Sequence, residues 1–149
     1  MECLDDQTLL NEIFNKIHFF VLKKDKKFYF PEQPQEVEVG NREYKINLDY
    51  SDRKAKFTKN ILNKKATQMN FRLIEGGGKA IYFIGLKDNG EPSGIDLNKL
   101  MISLIYFNQI VYLSNSKYSK IRIYLGKDGY IATIRVFKKF EQKHLLLEI

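Results

Sequence analysis

The chain of 149 residues has no tryptophan, one cysteine and two histidines. Because Cys3 stands alone, no internal disulfide can form, which fits a reducing compartment. His18 and His144 lie far apart in the sequence and have no cysteine cluster beside them, so the sequence predicts no metal site and no cofactor.

The chain also lacks the patterns of a signal peptide and of a membrane span. Residues 1–6 are acidic, whereas a signal peptide begins with basic residues before an apolar run. The longest uncharged stretch, residues 100–116, contains Asn108 and Gln109 and is shorter than the roughly 20 apolar residues that cross a bilayer. We therefore expect a cytoplasmic protein without a membrane partner.

The positive charge is concentrated in two segments. The formal net charge is +7, from 25 basic and 18 acidic residues. Residues 51–80 contain eight basic and two acidic side chains, and residues 117–143 contain the same numbers. Such an asymmetry predicts a polyanionic partner. Surface lysines that only keep the protein soluble are the alternative.

Apolar periodicity predicts three helices. The first begins at a cap at residues 5–6, the second runs from a cap at residues 51–52 to about Ile74, and the third runs from a cap at Asp96 to about Leu113. The predicted buried stripe of the second helix consists of Ala55, Leu62, Ala66, Met69 and Leu73.

Several short segments have the pattern of β-strands. Residues 80–86 are almost continuously apolar, which predicts a central strand covered on both faces. Turn sequences at 88–90 and 127–129 predict two hairpins. The predicted strands are residues 43–48, 80–86, 92–95, 121–125 and 131–137, with shorter candidates at 28–30 and 145–147.

These elements predict a single α+β domain. A mixed, mostly antiparallel sheet should pack against two long helices, with the N-terminal helix added to them. Residues 1–35 would form that helix and its connection, residues 43–137 the core, and residues 138–149 a C-terminal strand or tail.

The Gly76–Lys79 stretch resembles a phosphate-binding loop but fails its requirements. It lacks the earlier glycine of that motif, and Ala80 stands where a serine or threonine would bind Mg²⁺. It also follows a helix and enters a strand, the reverse of the order that brings phosphates to a helix N-terminus. Residues 63–66 lack the aspartate that reads guanine. We therefore expect no GTP and no small-molecule substrate, and the glycines should end the second helix.

The basic segments suit the phosphates of RNA. Lysine and arginine neutralise phosphates and release counterions. In the C-terminal hairpin, cations alternate with tyrosines whose rings could stack on unpaired bases, although a plain amphipathic strand shows the same alternation. The interleaved residues are Lys117, Tyr118, Lys120, Arg122, Tyr124, Lys127, Tyr130 and Arg135. The predicted RNA contacts are Arg53, Lys54, Lys56, Lys59, Lys64, Lys65, Arg72, Lys79, Lys117, Lys120, Arg122 and Lys127.

Between residues 67 and 94 the chain resembles a known family. The similar segments are Thr67–Leu73, Glu75–Gly76, Gly78, Ala80–Tyr82, Ile84–Gly85, Asp88–Gly90 and Gly94, and Glu43–Lys45 matches the first strand. They resemble the N-terminal domain of the GTP-binding-protein 1 and 2 group, large translational GTPases related to the elongation factor that delivers tRNA. The GTPase body of that group is not part of this sequence.

A free-standing domain of this type resembles the dormancy factors of microsporidia. Those proteins bind inactive ribosomes at the tRNA exit (E) site. The resemblance implies a hibernation role without enzymatic activity or catalytic residues. Its partners would be rRNA and ribosomal proteins near the exit site, and its effect would be to block tRNA and inhibit translation.

Residues 84–90 more loosely resemble the AlbA-like domain of Schlafen proteins, some of which cleave tRNA or rRNA. Their Glu, Glu, Asp set is matched most nearly by Glu38, Glu43 and Asp88. If these acids converged, they could bind a metal for phosphodiester cleavage. However, Lys87 occupies the position where such domains commonly have the first of two acidic residues, and solvated surface acids are the simpler interpretation.

An RNA-binding accessory or adaptor protein of translation is a further alternative.

Overall fold

A computed structural model describes residues 5–23 and 29–139 of the protein. Within these ranges the chain forms three helices and four strands. In chain order they are α1 (Asp6–Lys23), β1 (Arg42–Lys45), α2 (Ala55–Glu75), β2 (Lys79–Ile84), α3 (Leu97–Leu113), β3 (Ser116–Leu125) and β4 (Tyr130–Lys138). None of the helices in the described ranges is long and apolar enough to cross a membrane.

The strands form one mixed sheet in the order β1-β2-β4-β3. β1 and β2 are parallel and are joined through α2, whereas β4 is antiparallel to both of its neighbours. Since β4 lies between β2 and β3, those two strands run in the same direction without pairing. The predicted α+β domain with a mixed, mostly antiparallel sheet is confirmed.

The helices pack on one face of the sheet. Alternate residues of β2, β3 and β4 point to that face and form one core with the helices. From the sheet the core takes Ala80, Tyr82, Ile84, Tyr118, Ile121, Ile123, Ala132, Ile134 and Val136, and from the helices it includes Ile13, Leu62, Met69, Leu73, Leu100, Leu104 and Phe107. The intervening strand residues therefore point to the opposite face.

Two of the predicted helix caps are confirmed. A carboxylate oxygen of Asp5 accepts a hydrogen bond from the backbone N–H of Thr8 at 2.8 Å. Asp96 accepts in the same way from the N–H of Lys99, also at 2.8 Å. Each cap satisfies a helix N–H group that has no partner within its own helix.

The predicted start of α2 is wrong by a few residues. The helix begins at Ala55 after Lys54, which makes no side-chain cap. The hydroxyl of Ser51 donates to Asp49 instead, so it stabilises the preceding turn. Four of the five predicted stripe residues are buried, Leu62, Ala66, Met69 and Leu73, whereas Ala55 is exposed because it lies at the helix end.

Two predicted strands are shorter than expected. β1 ends at Lys45, and the N–H of Leu48 donates to the hydroxyl of Ser103 at 2.9 Å instead of to a strand. Residues 92–95 make one isolated bridge, between Ile95 and Tyr130, so no hairpin follows β2. In the candidate strand at 28–30, Tyr29 forms a single bridge, while residue 28 and the candidate strand at 145–147 lie outside the described residues.

Gly94 lies where the loop after β2 meets the β3–β4 turn. Its φ is +80°, and its N–H donates to the carbonyl of Gly85 at 2.9 Å. A Cβ at this position would lie 2.6 Å from the carbonyl carbon of Gly129. The contact therefore needs both the left-handed conformation and the missing side chain of glycine.

Gly94→Ala should destabilise the protein by more than about 2 kcal/mol, because the cost of the left-handed conformation adds to a backbone clash. Gly77→Ala is the control, since Gly77 has a φ of +64° but no atom near the added Cβ. It should cost only about 1–2 kcal/mol. Urea unfolding of both variants measures the difference, and equal losses would show that the two loops can separate without cost.

Candidate RNA interface

The face of the sheet opposite the helices is basic. β2, β3 and β4 place five lysines and arginines on this face, Lys79, Lys117, Lys120, Arg122 and Arg135, and the three strands contain no aspartate or glutamate. Cross-strand pairing places Arg135 beside Ile81, and Thr133 between Phe83 and Arg122. Tyr44 and Phe83 point to this side but are buried in a second apolar cluster with Leu86, against which Phe30 packs. We call the accessible remainder the open sheet face; it consists of Arg42, Lys79, Ile81, Lys117, Ser119, Lys120, Arg122, Tyr124, Thr133, Arg135 and Phe137.

A shallow hollow of about 400 Å³ lies on the open sheet face. Ile81 and Phe83 provide its apolar lining, and three exposed cations surround it. Its full lining is Ile81, Phe83, Ser119, Lys120, Arg122, Tyr124, Thr133 and Arg135. The hollow thus combines apolar surface, hydroxyl groups and positive charge.

A β-bulge shapes one side of the hollow. The pairing of β3 with β4 shifts register between Tyr118 and Ile121, and both of these residues are buried in the core. The two residues between them, Ser119 and Lys120, both line the hollow. In a regular strand, only one of two successive side chains would point to this face. A bulge of this kind redirects side chains towards a site.

Within residues 5–23 and 29–139, the cations around the hollow have no acid paired with them. No described residue forms an ion pair with Lys120, Arg122 or Arg135. Burial lowers the pKa of Lys16 in α1, and the positive charges of Lys120 and Arg122 lower it further. The Glu12 carboxylate, 3.3 Å from Lys16 Nζ, acts in the opposite direction and raises this pKa. Positive charges held together in this way attract an anionic ligand.

Aromatic contacts hold the apolar side of the hollow in place. The guanidinium carbon of Arg42 lies 4.7 Å from the ring centre of Phe83, and the same guanidinium donates to Gln33 at 2.8 Å. Phe30 meets Tyr124 edge to face with ring centres 5.1 Å apart. These contacts leave Tyr124 half-buried and fixed beside the hollow.

The predicted RNA contacts divide between two sides of the molecule. Lys79, Lys117, Lys120 and Arg122 lie on the open sheet face, and Lys127 lies in the turn beyond it. The others belong to α2 or the residues before it, behind the sheet: Arg53, Lys54, Lys56, Lys59 and Lys64, which are exposed, and Lys65, which is half-buried. One flat RNA surface cannot touch both sides at once.

Arg72 corrects the predicted set, because its side chain is only 4% exposed. Its Nε donates to Glu43 Oε1 at 2.9 Å. Its two terminal nitrogens donate to the carbonyls of Gly40 and Val37, at 3.0 and 2.9 Å. Arg72 therefore ties α2 to β1 and to the segment before it, and the prediction that it contacts RNA is wrong.

The tyrosines of the hairpin also divide. Tyr118 is buried, and its hydroxyl donates to Asn108 at 3.0 Å, so the idea that it stacks on a base is wrong. Tyr130 packs against the core. Tyr124 is the tyrosine of this set that lines the hollow.

Sequence reasoning missed the part of the interface that comes from β1 and β2. Ile81 and Phe83 alternate with the core residues Ala80 and Tyr82, but every one of these positions is apolar, so no alternation is visible. Arg42 is the first residue of β1, but it precedes the predicted strand at 43–48, and a lone cation there is no sign of a binding site. Arg135 did belong to the interleaved hairpin pattern.

The three acids of the alternative RNase interpretation do not form a metal site in the structure. Glu38 and Asp88 are exposed, and Glu43 is buried in its ion pair with Arg72. Glu36 lies near Glu43 instead; its burial, and the charges of Glu43 and Asp88, raise the pKa of Glu36. Over the described ranges, no group of three or more histidine, cysteine, aspartate or glutamate side chains is placed to hold a metal.

Comparison with known proteins finds similarity over half of the chain. GTP-binding protein 2 of Mus musculus and that of Homo sapiens are each 39% identical to it over 74 residues, which is 50% of this chain and 11% of each relative. No family model matches, and no solved structure matches. The similarity supports a link between this chain and a domain of that family, in agreement with the resemblance seen in the sequence.

Arg72→Met should destabilise the protein by about 3–5 kcal/mol, because it leaves the Glu43 carboxylate buried without its partner. Arg53→Met is the control, since this exposed arginine precedes the same helix and its loss should change stability by no more than about 0.5 kcal/mol. Unfolding in urea measures both. Equal small effects would contradict a structural role for the Arg72–Glu43 pair.

Proposed function

We propose that this protein is a ribosome-binding dormancy factor. It contacts rRNA phosphates with the open sheet face, keeps tRNA out of the exit site and so inhibits translation. The observation that carries the proposal is an exposed group of cations, Lys120 and Arg122 on β3 and Arg135 on β4. These two strands contain no aspartate or glutamate.

The composition of the open sheet face favours RNA over other polyanions. Cations alone attract any polyanion, but here they surround apolar and aromatic groups, Ile81, Phe83 and Tyr124. Phosphates and bases together satisfy both kinds of group. A purely electrostatic ligand would leave the apolar lining in contact with water.

The family relationship supports the ribosome as the source of that RNA. Residues 67–94 resemble a domain of translational GTPases, and half of the chain is similar to part of GTP-binding protein 2. The resemblance to the dormancy factors adds the exit site and the inhibition of translation. On this proposal the protein acts by occupying space, so it needs no catalytic residue and no metal.

The Gly76–Lys79 stretch fits a role without GTP. It leads from the C-terminal end of α2 into β2, as the sequence predicted. The C-terminal end of a helix carries partial negative charge, whereas phosphates bind at the positive N-terminal end. The exposed cations of α2 lie behind the sheet and provide a second contact where rRNA surrounds the protein on two sides.

Binding to ribosomes should be strong in low salt and should fall steeply as salt rises, because it releases counterions from rRNA. Reversing charge on the open sheet face with Arg122→Glu and Arg135→Glu should abolish co-sedimentation with ribosomes. The control reverses Lys87 and Lys99, which pair with Glu91 and Asp49 instead, and changes the net charge by the same amount.

A third variant reverses Lys56, Lys59 and Lys64 of α2. If it abolishes co-sedimentation while the sheet variant does not, the interface lies on α2. Wild-type protein found only in ribosome-free fractions at near-physiological salt contradicts the proposal as a whole.

The competing functions give different results. A metal-dependent RNase would cleave tRNA or rRNA in the presence of Mn²⁺ or Mg²⁺, and would lose that activity in a folded Glu43→Gln variant. An adaptor that does not touch RNA would show no salt-sensitive RNA binding.

A further inference from the structure

We infer that the hollow on the open sheet face binds one unpaired nucleotide, with its base against the apolar lining and its phosphate at the arginines. The inference rests on the proposed RNA-binding function and names the kind of RNA that the site selects. Such a site would bind unpaired bases in loops, bulges or single strands in preference to the regular helices that make up much of a folded RNA.

The size of the hollow matches one nucleotide. Its volume of about 400 Å³ lies near the lower end of the range of roughly 300–1,000 Å³ for ligand sites. A paired helix presents phosphates and ribose to a protein and keeps its bases stacked inside. It would cover the cations but leave the hollow itself empty.

The apolar side of the hollow is suited to a base. Ile81 and the Tyr124 ring, both half-buried, provide its accessible apolar surface. Phe83 contributes little to that surface, because it is only 5% exposed and the Arg42 guanidinium lies over its ring. Because Phe30 holds Tyr124 edge to face at 5.1 Å, the ring is in place before a ligand arrives. Stacking on a ring that is already ordered loses little conformational entropy.

The polar side of the hollow is suited to a phosphate and to the base edge. Arg122 is directly opposite Thr133 on the next strand, and Arg135 is the following residue on the same face of β4. Diagonal neighbours of this kind lie roughly 7–8 Å apart, so both guanidinium groups can reach one phosphate. The hydroxyl groups of Ser119 and Thr133 are left to hydrogen-bond with a base edge.

The first experiment compares two RNA hairpins by fluorescence anisotropy at the same salt concentration. One is fully paired, and the other has a single unpaired adenosine. The protein should bind the second roughly 5- to 100-fold more tightly, since stacking of a base on an aromatic ring strengthens binding by about that factor. Equal affinities would overturn the inference.

Variants at Tyr124 test whether the hollow is the source of that preference. Tyr124→Leu keeps the apolar volume but removes the ring, and should reduce the preference severalfold without weakening binding to the paired hairpin. Tyr124→Phe should keep it. Tyr112→Leu is the matched control, since Tyr112 is 73% exposed on α3 behind the sheet. A preference that survives in Tyr124→Leu would overturn the inference.

Arg135→Gln tests the phosphate side. It should weaken binding to both hairpins and reduce the slope of log affinity against log salt by about 1. An unchanged slope would overturn the placement of the phosphate.

Competition with 5′-AMP shows whether the hollow binds a free nucleotide or only one within a strand. If 5′-AMP displaces the hairpin with the unpaired base, the nucleotide alone is enough for binding. If it does not, the phosphates on either side of the unpaired base are needed.

Failure of this inference is distinguishable from failure of the proposed function. If the hollow binds no base, wild-type protein still co-sediments with ribosomes but binds both hairpins equally. If the protein does not bind ribosomes at all, co-sedimentation is absent whichever hairpin is preferred.

Discussion

The packing of all the helices on one face of the sheet is the constraint on which the rest of the molecule depends. Because strand residues alternate, burying Tyr82, Ile123 and Ile134 among the helices turns their neighbours outward on the other side. Tyr44 and Phe83 among these outward residues are buried in a second, smaller apolar cluster, and the remaining positions are free of the demands of the core. In this chain they hold cations and rings, so the surface chemistry follows from the one-sided core.

Local patterns predict most of the framework. The helices, the caps at Asp5 and Asp96 and the β3–β4 hairpin follow from periodicity and turn residues, because these depend on neighbours in the sequence. Arg72 could not be assigned in this way: a charged residue on a helix is usually solvated, and its partner Glu43 lies 29 residues away.

The candidate site is less predictable than the framework because it depends on strand order. The hairpin cations stand out in the sequence, but the hollow exists only because β4 separates β2 from β3. That arrangement brings Ile81 and Phe83 beside Arg122 and Arg135. The segment with the family resemblance, residues 67–94, contains Arg72 of the buried pair and Gly94 of the close loop contact, whereas Lys120, Arg122 and Arg135 lie outside it.

The bulge in β3 also affects how copies of the protein meet one another. β3 and β1 are the two edge strands of the sheet, and an exposed edge is a template for pairing with another chain. At residues 119–120 the bulge interrupts the regular ladder of β3, and Tyr29 bridges the far end of that strand at Leu125. β1 has only four residues. In the part of the chain that the structure describes, both edges are thus poor templates for the growth of intermolecular sheets.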